Sequence, residues 1–351
     1  MATMADVAAL AGVSTSTVSH VLNRTRAVDP RTRARVEDAV RLTGYQPNHV
    51  ARSLATSSSR TIGLAMSMLG RDSYFAEFAH AVETSARRAG YTLTYADTHD
   101  EADTEKLVLT QFLSQRIDGM IWASSGSPAA AVGPAVTTVL VDRLRDEPHD
   151  QVGPENVEAT ATLTAHLAGH GHRRVALVAG MAGWNTTAER IAGFRRTVAE
   201  HDLDPDPALI VHGDSQAEPA RQAVHALFAL DNPPTALVSA NNAMTFGVLR
   251  ALRELGLSAP HDVALVCYDD FDWADLVTPG PTAMRQQIDA MGRRAVTMLV
   301  DRLKHPERPY LTERLPPVFR IRESCGCPPA EVPHPQQISV GRPARGRRPV
   351  R

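Results

Sequence analysis

Thr15, Ser16, Ser19 and His20 are short hydrogen-bonding side chains in segment 14–23, whose apolar residues are Val18, Val21 and Leu22. Apolar positions three and four apart bury one face of a helix, which leaves those four pointing outward. A compact polar face without alternating charge suits the base edges of a DNA major groove. The preceding residues must hold that face in place. Asp6 to Ala11 predicts a first helix with Val7, Leu10 and Ala11 on its inner side, Gly12 supplies a bend, and Ser14 caps the second helix. The pattern is that of a helix-turn-helix.

A third helix is expected from the cap Asp29 and Pro30 to about Leu42, ended by Gly44. Val36, Val40 and Ala39 would close a three-helix core with Val7, Leu10, Val18 and Val21. Arg26, just past the second helix, can reach phosphate or base. Residues 48–55 follow as a helical pattern too short to be stable alone, and 56–60 as a polar linker.

Charge is divided in the same way. Residues 1–60 carry eight Arg and no Lys against Asp6, Asp29, Glu37 and Asp38, and residues 341–351 add five Arg and no acid. The stretch between therefore holds a net -11 within an overall -2. A basic head on an acidic body places phosphate affinity at the N-terminus.

At 351 residues the chain can bury two or three substantial cores. From residue 61 apolar runs alternate with helical segments. Strands are expected at 62–66, 91–96, 117–122, 138–141, 175–179, 209–212, 236–239 and 263–267. Helices are expected at 74–89, 102–115, 186–201, 216–230, 242–255 and 286–304, and 314–322 is strand-like. This alternation predicts two doubly wound parallel-sheet subdomains, with ligand held at the carboxyl ends of the strands. No apolar run is long enough to span a membrane. Residues 1–6 lack a signal sequence, and Cys267, Cys325 and Cys327 are too few and odd in number for a disulfide framework. Both features predict a cytoplasmic location.

The residues Asp6-Val7-Ala8, Ala11-Gly12-Val13-Ser14, Thr17-Val18-Ser19 and Val21-Leu22-Asn23 resemble the lac repressor family of bacterial transcription regulators, with the outward face most similar to its purine-repressor branch. The body resembles that family's periplasmic-binding-protein-like sensor, and the likeness runs over about residues 4–325. It implies a helix-turn-helix head at 2–47, a hinge helix and linker at 48–60, and a sensor at 61–324 with subdomain crossovers near 157, 285 and 317. A basic tail at 325–351 is expected to be disordered. It implies a homodimer, joined through the sensor, on a palindromic operator. Thr15, Ser16 and His20 would meet base edges, and Ser14, Thr17, Ser19, Asn23, Tyr45, Asn48 and Ala51 would complete the DNA contacts. Leu54 would wedge between central base pairs from the minor groove.

On the effector side the resemblance points to Tyr74, Phe75, Asp142, Arg143, Trp184, Thr186, Arg190, Asn241 and Asp269. Arg190 would hold effector oxygens bidentately, and Asn241 and Asp269 would bond its hydroxyls. Trp184 replaces an arginine of the purine repressor, Ser215 an aromatic, and Asn242 an acid. These departures favour a neutral sugar or glycoside as effector, with a purine as the alternative.

Neither a cofactor nor a metal is expected. His166, His170 and His172 stand at a helix end with no acid or cysteine beside them, and Cys325-Gly326-Cys327 falls in the tail. A stand-alone solute-binding protein would not need the head. An enzyme would need machinery that the chain lacks: there is no P-loop, no Gly-x-Gly-x-x-Gly after a strand and no Gly-x-Ser-x-Gly.

Overall fold

The computed structural model describes residues 2–23, 26–45, 58–67, 73–125 and 136–328. The expected hinge helix at 48–55 and the tail beyond residue 328 lie outside them.

Among the described residues the head contains three helices: α1 (Met4–Ala11), α2 (Thr15–Asn23) and α3 (Pro30–Thr43). Thr3 and Asp6 start α1 with a reciprocal capping box, and Gly12 ends it at φ +62°. That left-handed conformation suits glycine, which has no Cβ to clash. Ser14 Oγ accepts from Thr17 N at 3.2 Å at the start of α2. Asp29 caps α3 with Pro30 in its first turn, where a missing N–H costs nothing. Val7, Ala8, Ala11, Val18, Val21, Val36 and Ala39 form the core. Leu10 departs from expectation: it is 56% exposed, and Ala8 is buried in its place. Small side chains at positions 8 and 11 seat α1 against α3 with a rotation that turns Leu10 outward.

The body contains twelve strands in two six-stranded sheets among the described residues. The first comprises β1 (Thr61–Met66), β2 (Thr92–Asp97), β3 (Gly119–Trp122), β4 (Thr137–Val141), β5 (Asp150–Pro154) and β11 (Thr312–Leu315), ordered β11-β5-β4-β3-β1-β2. The second comprises β6 (Val175–Ala179), β7 (Ile210–His212), β8 (Ala236–Ser239), β9 (Ala264–Tyr268), β10 (Thr282–Arg285) and β12 (Val318–Arg320), ordered β12-β10-β9-β8-β6-β7. The pairings of β1 with β2 and β3, of β8 with β6 and β9, and of β10 with β9 are parallel, whereas β10 and β12 run antiparallel. Helices alternate with the strands along the chain: α4 (Ser73–Arg88), α5 (Ala102–Ser114), α6 (Val157–Gly169), α7 (Asn185–Glu200), α8 (Ala217–Phe228), α9 (Asn242–Leu255) and α10 (Ile288–Lys304). Of these, α4, α7 and α9 join parallel neighbours, while α6 and α10 lead from a strand of one sheet to a strand of the other. The segment expected as one strand at 314–322 is two, in different sheets. Pro316 and Pro317 stand between them, and proline has no N–H for a ladder.

Compactness divides the chain into two units. One is drawn from Met1–Met66, Val82–Val139 and Val296–Pro309, and the other from Ser67–Ala81, Leu140–Ala295 and residues from Tyr310 onward. In the second unit, β6, β8 and β9 are buried along their whole length. This is what a parallel sheet covered by helices on both faces requires. Cys325 lies in this core at 1% exposure, so packing continues past residue 324.

Candidate functional site

The face expected to read DNA is assembled from short side chains that α1 and α3 support from behind. Thr15 and Ser16 are exposed, and Ser19 and His20 are half-buried. Ser14 Oγ lies 2.7 Å from Ser16 Oγ and 2.9 Å from Thr17 Oγ1, so Ser14 orders the start of the helix as well as facing outward. Arg26 is exposed, and Tyr45 packs against the head core. Asn23 closes α2. Asn48, Ala51 and Leu54 lie outside the described residues. The Asp6 carboxyl is held below its usual range, chiefly by the backbone N–H of Thr3 and then by its hydroxyl.

All nine expected effector residues belong to the second compact unit. Asp142 follows β4 and Asp269 follows β9, with backbone φ of +65° and +77°. Such values are uncommon for non-glycine residues and aim each carboxylate off the end of its strand. Tyr74, buried near the start of α4, donates its hydroxyl to Asp142 Oδ1 at 3.0 Å. Burial and then the charges of Asp142 and Asp269 push this phenol well above its ordinary pKa. Phe75 meets Tyr74 edge-on at 5.0 Å.

Two guanidiniums cover two aromatic rings. Arg143, itself buried, lies 3.7 Å over Trp184, and Arg190 lies 3.7 Å over Tyr268. Arg190 also donates Nε to Asn156 Oδ1 at 2.9 Å and a terminal nitrogen to the carbonyl of Ala240. Asn156 passes the connection on by donating Nδ2 to Glu189 Oε2 at 2.7 Å, and Arg314 donates to the same carboxylate. Thr186 is buried in the first turn of α7. Asn241 is chiefly a helix cap, accepting from Met244 N at 2.7 Å. Asp269 accepts from Gln286 Nε2 at 2.6 Å and from Asn242 N at 3.3 Å.

A cavity of about 150 Å³ opens beside these groups, and among its lining residues are Tyr74, Glu77, Asp269, Phe271, Arg285 and Gln286. Of the expected residues only Tyr74 and Asp269 reach it. Burial raises the Glu77 carboxyl, with Arg285 opposing the shift. Gln286 Oε1 is buried in this wall with no hydrogen-bond partner among the described residues. Sequence reasoning missed Gln286, Asn156 and Tyr268. Tyr268 could have been found, because it is the apolar-to-polar step at the end of a buried strand, directly before Asp269.

The histidines and cysteines are arranged differently from expectation. His172 bonds Thr235 Oγ1 at 2.9 Å. His166 and His170 instead meet Cys325 and Cys327, with all four ligand atoms within 4.8 Å of one another. Cys267 is a buried core thiol, pushed up to about 12 by desolvation.

The pattern of bacterial regulatory proteins of the lacI family matches residues 3–48, and that of a periplasmic binding protein-like domain matches residues 164–325. The HTH-type transcriptional repressor PurR of Aliivibrio salmonicida is 34% identical over 316 residues, covering 88% of this chain and 95% of that one. The lac repressor dimer bound to operator and the anti-inducer ONPF shares 27% identity and a TM-score of 0.83 over 92% of this chain and 99% of its own. The transcriptional regulator CelR in complex with cellobiose shares 28% identity and a TM-score of 0.70, over 92% and 100%. This chain belongs to the lacI family of DNA-binding transcriptional repressors. Its relatives are repressors rather than enzymes. Among the described residues no helix is long and apolar enough to cross a membrane.

Proposed function

We propose that a homodimer of this chain, joined through the sensor, binds a near-palindromic operator and that a polyhydroxylated small molecule controls that binding. The head is assigned to 2–47, the hinge to 48–60 and the sensor from 61 onward. Thr15, Ser16 and His20 read base edges, and Leu54 is the central wedge. Two heads on one palindrome multiply an affinity that a single small head cannot supply.

The effector is assigned as a sugar or glycoside. The observation that carries this is the pairing of Arg143 with Trp184 and Arg190 with Tyr268 beside Asp142 and Asp269. One face of each ring is already covered, which reduces what a flat purine could stack upon. Paired carboxylates and guanidiniums suit adjacent hydroxyls, which both donate and accept. The solved relative that holds cellobiose supports the same class. A purine effector is favoured by a different observation, the name PurR carried by the relatives at 30–34% identity.

Calorimetry of the full chain with sugars, glycosides, nucleobases and nucleosides separates the two, alongside gel shifts on DNA flanking its own gene. Sugar binding that changes operator affinity by about 1–3 kcal/mol, matched by an equal effect of operator on sugar, is the expected result. Hypoxanthine or guanine binding without sugar binding would replace the sugar by a purine.

A further inference from the structure

We propose that His166, His170, Cys325 and Cys327 hold one Zn²⁺ in a closed structural site. His166 in the last turn of α6 and His170, the residue that caps its C-terminal end, have ring centroids 4.7 Å apart. The thiols arrive from the other end of the sensor sequence. After β12 the chain makes a short turn, Glu323–Cys325, and Gly326 follows at φ +94°. That left-handed residue reverses the chain, so that both flanking cysteines bring sulfur to the same place. The turn is anchored independently of any ion. Ser324 Oγ donates to the Leu265 carbonyl at 2.6 Å and accepts from Thr282 N at 2.8 Å.

Three of the ligand-atom separations are close to those that the ion sets. Zn–N bonds of about 2.0–2.1 Å and Zn–S bonds of about 2.3 Å place tetrahedral ligand atoms about 3.3–3.8 Å apart. His166 Nε2 lies 3.2 Å from Cys325 Sγ and 3.7 Å from Cys327 Sγ, and His170 Nε2 lies 3.3 Å from Cys327 Sγ. Two imidazoles and two thiols form a soft-to-borderline set suited to zinc over magnesium or calcium. Two thiolates also balance the ion's charge, so the centre can be partly buried without an uncompensated charge. Thr282 Oγ1 lies 3.1 Å from Cys325 Sγ and donates to the Arg322 carbonyl at 2.8 Å, so its one proton would turn from that carbonyl to support a bound thiolate. Phe319 meets the His166 ring edge-on at 5.1 Å and covers one side. His170 is exposed and Cys327 half-buried, which leaves a path for the metal to enter. With four protein ligands no position remains for substrate. The ion would fasten the turn after β12 to the C-terminal end of α6, by closing a loop between residues 157 apart in sequence.

The test uses the full chain without an affinity tag, purified under reducing conditions, saturated with zinc and dialysed, with metal measured by mass spectrometry. About one zinc per chain is expected. Replacing zinc by Co²⁺ should give tetrahedral d–d bands together with thiolate-to-cobalt charge transfer. Cys327→Ser and His170→Ala, both at accessible positions, should lose stoichiometric zinc and the charge-transfer band or show it altered, whereas His172→Ala retains both. Removing zinc from the wild-type chain should lower its Tm. A reduced wild-type chain that takes up no zinc would overturn the site. So would equal zinc retention in Cys327→Ser and His170→Ala, or a Cys325–Cys327 disulfide that persists under reduction and excludes metal.

Discussion

Arg190 places its guanidinium carbon 3.7 Å above the Tyr268 ring while its Nε donates to Asn156 Oδ1 at 2.9 Å. One face of the ring is covered, and the arginine is tied to both the residue before α6 and the carbonyl of Ala240 before α9. A ligand that bonds Arg190 must therefore compete with or extend these contacts, which couples its binding to the positions of two helices. Differential contacts of this kind allow a small molecule to shift a conformational equilibrium.

Arg190→Ala should abolish the effector response and leave operator binding intact, because the reading helix has its own core. It should also lower sensor stability by about 1–3 kcal/mol, since the Ala240 carbonyl and Asn156 lose a charged donor. Arg190→Lys restores the charge but not the two-pronged donor, and should recover stability more than ligand response. Thermal melts and gel shifts with ligand measure the two effects separately. A variant lacking Arg190 that still responds fully would remove this residue from the site.

Base preference should follow the short polar side chains of α2. Ser16 and His20 substitutions should alter discrimination at particular operator positions by about 1–3 kcal/mol per base pair. Arg33, an exposed residue on α3, should at most weaken all sequences alike when changed to Ala. Binding to a randomised operator library distinguishes these outcomes. A Ser16 variant with an unchanged sequence profile would place the reading contacts elsewhere.

The Asp6–Thr3 capping box gives the head an acid dependence with a defined sign. The Thr3 backbone N–H, then its hydroxyl, hold the folded Asp6 carboxyl below its ordinary value of 3.8. The unfolded chain therefore takes up the proton first as pH falls. The cap's contribution is fully present above 3.8 and is lost as pH drops through the lower folded value. Hydrogen exchange of residues 4–11 in the full chain should accelerate across that acid window. Asp6→Asn should exchange faster at neutral pH and flatten the dependence. An unchanged pH profile in Asp6→Asn would assign the acid response to another group.

Much of this architecture is legible because buried parallel strands are nearly continuous apolar runs, as in Val175–Ala179 and Ala236–Ser239. β5 is not legible. Its residues Asp150-Gln151-Val152-Gly153-Pro154 carry little strand propensity, and they form a strand because β11 and β4 flank them in the sheet. β10, Thr282-Ala283-Met284-Arg285, is likewise made by β9 and β12 on its two sides. Asp142 and Asp269 could be found as polar residues at strand ends. The partners of Arg190, Asn156 and Tyr268, are remote in sequence and follow only from the packing. The His–Cys cluster is hidden for the same reason: each pair looks weak alone, and β12 with the turn after it brings them together.

Gly193 and Gly247 should resist replacement by alanine, although ordinary helix propensity says the opposite. Alanine at a helix-interior glycine usually stabilises by about 0.5–1 kcal/mol, because glycine loses more backbone entropy on folding. Here a Cβ at Gly193 would stand 2.2 Å from the carbonyl oxygen of Val157, and one at Gly247 would stand 2.1 Å from that of Ala217. Both obstacles are backbone, so no rotamer change relieves them, and α6 must move from α7 or α8 from α9. Overpacking of this kind costs about 1–3 kcal/mol and outweighs the propensity gain. Gly193→Ala and Gly247→Ala should each lower the Tm of the full chain. Gly169→Ala, in the last turn of α6 with nothing within 4 Å of its Cβ, should be neutral or slightly stabilising. The Val157 carbonyl lies one residue from Asn156, so displacement at Gly193 should also disturb the Arg190 contact. Gly193→Ala is therefore expected to weaken effector binding by more than Gly247→Ala does, which calorimetry on the two folded variants would measure. Equal Tm for Gly193→Ala and Gly169→Ala would mean that α6 and α7 can separate without cost.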